Sequence, residues 1–137
     1  MTFMDTMRAL LSHRANTHLP GAFPIYIYLP EDLDPLERHA RYEDVLENEL
    51  QVGGLGRVTG GGSMEGEEQE DGTCPALFSG IDVEVIDVNW GRSRLRDLLP
   101  EIDCPPGTRL LYRLGGIDLQ DEFDGESWAL ERRRTDP

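Results

Sequence analysis

Hydrophobic and polar residues alternate most regularly in two stretches of the chain. In residues 22–29 (AFPIYIYL), apolar side chains at every second position leave Tyr26 and Tyr28 on the opposite face. In the stretch ALFSGIDVEVIDV, the same alternation separates isoleucine and valine from Asp82 and Glu84. Because successive side chains of a strand point to opposite faces, both stretches are predicted strands with one buried face.

A first helix is predicted between these strands, in the segment PEDLDPLERHARYEDVLENELQVGG. Asp34, Pro35 and Glu37 fit the N-cap, N1 and N3 positions, because the aspartate accepts from free amides and proline needs no acceptor. The apolar stripe breaks near Arg41, which predicts an irregular entry followed by a regular helix from about Tyr42. The closing pair of glycines provides a C-terminal stop.

A second helix is predicted over residues 89–99, where leucines and Ile102 recur at positions i, i+3, i+4 and i+7. Asn89 and Ser93 are the candidate N-cap residues, since both carry side-chain oxygens that can accept from backbone amides. Pro100 should end or bend this helix because it lacks an amide hydrogen.

Two shorter strands complete the predicted pattern, one at residues 55–59 and one at residues 108–114. They define one βαββαβ domain with additional segments at both ends. The predicted division is an N-terminal segment 1–21 that could form a short helix, the domain 22–114 with a flexible acidic loop at 60–75, and an irregular C-terminal tail 115–137.

The order strand, helix, strand, strand, helix, strand resembles that of the ferredoxin-like fold. This resemblance implies an α+β two-layer sandwich, with a four-stranded antiparallel sheet and two helices on one face. The pattern LGRVTGGGS, followed by a GIDVEV strand, is also similar to that of small acidic bacterial proteins of an uncharacterised family. Neither resemblance implies an activity.

The formal net charge is −14, from 27 acidic and 13 basic side chains. This excess of negative charge opposes binding to nucleic acid, because such binding depends on basic side chains that neutralise phosphates. It opposes anionic membrane surfaces for the same reason, and the sequence contains no apolar run long enough to span a bilayer. The charge favours solubility or fast association with a basic protein partner.

The outer face of the predicted sheet is the candidate partner-binding surface. The first and third strands are central in the ferredoxin-like order, so their outward side chains are expected to be neighbours, and acidic residues of the nearby loop would extend the surface. The predicted partner-binding residues are Tyr26, Tyr28, Asp82, Glu84, Glu67, Glu68, Glu70 and Asp71. Their alternative role is cross-strand ion pairing that only keeps the sheet soluble.

Other motifs in the sequence match known sites only in part. The three glycines before Ser63 lack the lysine of a phosphate-binding loop, so a bulge or a flexible hairpin arm is the preferred interpretation. A calcium loop starting at Gln120 lacks its first aspartate. Cys74 and Cys104 share no metal-ligand spacing with the histidines. No catalytic residue, metal ligand or cofactor is predicted.

The sequence therefore favours a non-enzymatic acidic module that recognises a basic protein, such as an inhibitor or an immunity-type protein. The alternative is a small enzyme or ligand-binding domain with a pocket on the open sheet face. A monomer or weak homodimer is expected. The cytoplasm is the expected compartment, because the two cysteines are too few for a disulfide scaffold and the N-terminus lacks the features of a signal peptide.

Overall fold

The computed structural model describes residues 21–65, 68–72 and 76–134. The predicted helix within residues 1–21 lies outside the described residues, apart from Gly21. In chain order, the elements are β1 (Phe23–Leu29), α1 (Pro35–Arg38), a π-helical turn (His39–Glu43), α2 (Asp44–Val52), β2 (Gly56–Glu65), β3 (Ala76–Val85), α3 (Val88–Glu101), β4 (Arg109–Leu114), β5 (Ile117–Phe123) and β6 (Trp128–Arg133).

The six strands form one antiparallel sheet in the order β2-β3-β1-β4-β5-β6. The predicted four-stranded ferredoxin-like sandwich is therefore wrong, and the fold is an α+β fold with a six-stranded sheet and two helical segments. The difference comes from the residues after 114, which were predicted to be irregular. They form β5 and β6, which extend the sheet beyond β4 as an antiparallel meander.

The core lies between one face of the sheet and the helices. The predicted alternation of β1 and β3 is confirmed, because Ile25, Ile27, Ile81 and Val83 are buried while Asp82 is exposed. Leucines of both α2 and α3 belong to the same buried cluster, so the two helices cover the same face. These helix residues are Leu46, Leu50, Leu95, Leu98 and Leu99.

The first helical segment begins as predicted. Asp34 is the N-cap, its Oδ1 accepts a hydrogen bond from the amide of Glu37 at 2.8 Å, and proline occupies the first helical position. The irregularity predicted near Arg41 is the π-helical turn, whose extra residue shifts the helical phase. After this shift Tyr42 and two leucines of α2 recur every four residues and are fully buried.

Strand β2 runs through the three glycines instead of ending at them. The predicted loop 60–75 is therefore wrong for residues 60–65, although a register irregularity does interrupt the pairing between Val58 and Gly60. A Cβ on Gly61 would lie 3.0 Å from Nε of Arg38 and 3.1 Å from Oε1 of Glu43. The glycine thus leaves room for a buried ion pair, in which Nε of Arg38 lies 2.8 Å from the Glu43 carboxylate.

Helix α3 begins earlier than predicted. Its N-cap is Asp87, whose Oδ1 accepts from the amide of Trp90 at 2.9 Å, so the prediction of Asn89 or Ser93 as the cap is wrong. A short polar side chain at any of the three positions fits the pattern, and the sequence does not distinguish them. Pro100 lies inside the last turn, and the helix ends one residue later.

Candidate functional site

The outer face of the sheet brings together four of the predicted partner-binding residues. Tyr26 lies opposite Asp82 in the β1–β3 register, and Tyr28 and Glu84 lie two residues away on the same face. Asp82 is exposed, but Glu84 is only 4% exposed and its carboxylate lies 3.7 Å from Nη2 of Arg57. The outer face therefore presents one accessible carboxylate of the predicted pair, because the other is buried beside an arginine.

The ring of Tyr26 lies against Gly80 of β3. A Cβ placed on Gly80 would overlap the ring and hydroxyl of Tyr26, so glycine is required there for the ring to lie in this position. Burial, and then the negative charge of Asp82, raises the pKa of the Tyr26 hydroxyl above its usual value. The group is therefore a neutral phenol under physiological conditions, suited to hydrogen bonding and apolar contact.

Tyr28 forms a second aromatic contact on the same face. Its ring centroid lies 4.9 Å from that of Phe78, and the guanidinium carbon of Arg109 lies 5.1 Å from the Tyr28 centroid. The same arginine donates to Glu122 at 2.8 Å, which holds the guanidinium over the ring. The outer face thus combines aromatic surface with cations that already have partners.

The acidic loop is described only in part. Glu68, Glu70 and Asp71 are exposed, whereas Glu67 lies outside the described residues. The amide of Gly72 donates to the carbonyl of Gln69 at 2.9 Å, which makes a turn of this short segment.

A buried ionic cluster between α3 and the C-terminal meander was not predicted from the sequence. Asp121 of β5 is fully buried, and its carboxylate accepts from Nε and Nη2 of Arg92 at 2.9 Å and from Nη1 of Arg96 at 2.8 Å. The hydroxyl of Tyr112 donates to it at 2.7 Å, and the amide of Glu131 donates at 2.9 Å. These five residues, hereafter the Asp121 cluster, join α3 to β4, β5 and β6.

The electrostatics of the Asp121 cluster explain how a carboxylate can occupy a core position. Burial alone would raise the pKa of Asp121, but hydrogen bonds from Arg92, the Glu131 amide and Tyr112 outweigh it and hold this pKa below its ordinary value. Burial and the same carboxylate raise the pKa of the Tyr112 hydroxyl. The cluster is a charged, hydrogen-bonded link between the helical layer and the sheet.

The arginines of the domain are largely engaged in intramolecular ion pairs. The sequence contains no lysine, so all 13 basic side chains are arginines. Within the described ranges, eight arginines lie within 4.0 Å of a carboxylate. They are Arg38, Arg41, Arg57, Arg92, Arg94, Arg96, Arg109 and Arg113. These eight arginines contact seven carboxylates, because Arg92 and Arg96 share Asp121, so the paired charges nearly cancel at a distance and the external field comes mainly from the remaining carboxylates.

A second surface feature is a pocket between the end of α2 and residues 89–97 of α3, hereafter the α2–α3 pocket. It has a volume of about 590 Å³ and is lined by Gly53, Leu55, Asn89, Trp90, Ser93, Arg94 and Asp97. Trp90 is 70% exposed, which is unusual for so large an apolar side chain. This pocket was not predicted, because Trp90 lies off the apolar stripe of α3.

Cys104 and the metal-ligating side chains are the remaining candidates for chemistry in the described part of the chain. Cys104 is buried, and burial raises the pKa of its thiol to about 11, so the thiolate is scarce at neutral pH. Within residues 21–65, 68–72 and 76–134, no group of three or more His, Cys, Asp or Glu side chains is placed to hold a metal ion. None of the helices in these ranges is both long and apolar enough to cross a bilayer.

Fold and surface together define a small, strongly acidic α+β protein built on a six-stranded antiparallel sheet. Neither a protein-family model, nor a curated protein, nor a solved structure matches the chain. The function is therefore inferred from its own residues.

Proposed function

We propose that this protein is a non-enzymatic acidic module that binds a basic protein, as an inhibitor or an immunity-type protein does. The observation that carries the proposal is the asymmetry between cations and anions at the surface. Of the arginines in the described ranges, eight lie in intramolecular ion pairs and Arg132, Arg133 and Arg134 are exposed, whereas exposed carboxylates, among them Asp82, Glu68 and Glu70, are far more numerous. A basic partner would be attracted over a distance set by the ionic strength.

The outer sheet face supports the proposal with surface suited to a protein partner. Tyr26 and Tyr28 are half-buried and fixed by their contacts with Gly80, Phe78 and Arg109, so an approaching partner would meet rigid aromatic surface. Rigid aromatic side chains lose little conformational entropy on binding, and for this reason they are frequent in protein interfaces. Asp82 provides the accessible carboxylate beside them.

A cytoplasmic location belongs to the proposal. It is supported by the free, buried thiol of Cys104, which is the form expected in a reducing compartment.

The proposal is tested by measuring how the affinity for the partner depends on salt, in the wild type and in a matched pair of charge-reversal variants. Partners captured on the immobilised protein at low ionic strength are identified, and the affinity of the purified basic partner is measured for each variant. Glu68→Lys/Asp82→Lys should weaken binding roughly tenfold at low salt, because association depends on this charge. The control Asp118→Lys/Glu126→Lys changes the net charge equally at exposed sites elsewhere and should have a much smaller effect.

Equal effects of the two double variants would show that only net charge matters and would remove the proposed surface. A partner that is not basic, or binding that is indifferent to salt, would overturn the function itself.

A further inference from the structure

The α2–α3 pocket has features of a binding site that the outer sheet face does not share. Trp90 stands at one end, with most of its surface in contact with solvent, and Asp97 stands at the other. Exposed tryptophan in a concave setting is the residue type that most often dominates binding energy at protein interfaces. Its exposure contributes nothing to the core, so packing does not explain its presence.

The charges around the pocket favour a cationic occupant. Arg94, the cation in the wall, is already held by Glu49 of α2, with Nη2 2.7 Å from the carboxylate. The positive end of the α3 dipole is capped by Asp87, and α2 ends, with the negative end of its dipole, beside Gly53 in the pocket wall. Asp97 is exposed and adds a full negative charge.

The spacing of the two end residues indicates the size of the occupant. Trp90 and Asp97 are seven residues apart on one helix, which places them about 10 Å apart along the helix axis and on the same side. The side chain of Trp90 extends from its Cα towards the N-terminus of the helix. One guanidinium cannot reach both groups, but a segment with two or more basic residues can.

From this geometry we infer that the α2–α3 pocket binds an arginine-bearing segment of the basic partner. One arginine stacks on the ring of Trp90, and a second basic side chain pairs with the carboxylate of Asp97. Arginine suits both contacts, because its planar guanidinium stacks on indole and donates two parallel hydrogen bonds to a carboxylate. This inference rests on the proposed function, and it adds an anchoring site on the helical side of the molecule.

Labelled octaarginine is a suitable probe, titrated into the full chain at low ionic strength and followed by fluorescence anisotropy. Trp90→Ala and Asp97→Asn should each weaken binding roughly 3- to 10-fold, through loss of the stacking contact and of the ion pair. The matched controls are Val52→Ala, an apolar residue 79% exposed outside the pocket lining, and Glu126→Gln, an exposed carboxylate that is also outside the lining. Both controls should change affinity less than about twofold.

A second measurement locates the peptide directly. In a Trp128→Phe variant, Trp90 is the only tryptophan, and its emission should change as octaarginine binds. Binding that leaves this emission unchanged, and that is equally strong in the Trp90 and Asp97 variants, would overturn the pocket inference. The proposed function would then still be judged by the purified partner and the sheet-face variants. Absence of octaarginine binding would also overturn the pocket inference.

Discussion

Replacing Asp121 by asparagine should be among the most destabilising conservative changes in this protein. Asp121 is fully buried, and its two oxygens accept five hydrogen bonds, three of them from the guanidinium groups of Arg92 and Arg96. Asparagine has nearly the same shape, but it removes the negative charge and places an NH₂ donor where the carboxylate accepted. The variant would leave Arg92, which is itself buried, without a counter-ion.

The free energy of unfolding should fall by about 3–5 kcal/mol, which is the usual cost of removing one partner of a buried ion pair. A domain of this size has a free energy of unfolding of roughly 5–15 kcal/mol, so the variant would lose a large part of it. With a urea dependence of about 2 kcal/mol per molar, the midpoint should fall by roughly 2 M. The control Asp118→Asn removes an exposed carboxylate 3.9 Å from Arg113 and should change stability by less than about 0.5 kcal/mol.

Urea unfolding followed by far-UV circular dichroism measures both variants. The pH dependence adds a check, since the pKa of Asp121 is lowered in the folded state. Its stabilisation should therefore be complete above the unfolded value near pH 4 and should disappear as the pH falls further, so wild type and Asp121→Asn should converge in acid. A loss below about 1 kcal/mol at neutral pH would refute the assigned role of the cluster.

Two further predictions concern Tyr26 and Cys104. Gly80→Ala should destabilise the protein by about 1–3 kcal/mol, because the new methyl group overlaps the Tyr26 ring, and Tyr26→Ala should remove most of that penalty in the double variant. Urea unfolding tests this, and equal penalties in both backgrounds would contradict it. In a variant lacking the other cysteine, Cys104 should react with Ellman's reagent at neutral pH only as the protein unfolds, because it is buried and its thiol pKa is raised to about 11. Rapid reaction of the native protein would contradict this.

Local patterns allowed several elements to be predicted from the sequence. The strict alternation around Asp82 determined which face of β3 is buried, since a shift by one residue would place carboxylates in the core. The N-cap at Asp34 was equally clear, because it is followed at once by a proline and an acidic residue of the first turn. In both cases the information lies within a few residues of the chain.

The C-terminal meander could not be predicted in the same way. Strand β5 (IDLQDEF) has an aspartate where the core face would ordinarily carry an aliphatic residue, so its alternation is concealed. Asp121 is acceptable there only because Arg92, Arg96 and Tyr112 converge on it from two other elements. The burial of Glu84 was not predicted either, although the Arg57–Glu84 contact across neighbouring strands is the cross-strand ion pairing expected as the alternative role of the outer-face residues.

The Asp121 cluster also affects the order of events during synthesis. Arg96 and Arg92 precede Asp121 by 25 and 29 residues in the chain, so the ribosome delivers both cations of α3 before the anion that neutralises them. A nascent chain that ends before β5 would have to keep that side of α3 in water, because an uncompensated guanidinium is costly to desolvate. We therefore expect the native arrangement of α3 to be completed only after translation has passed Asp121.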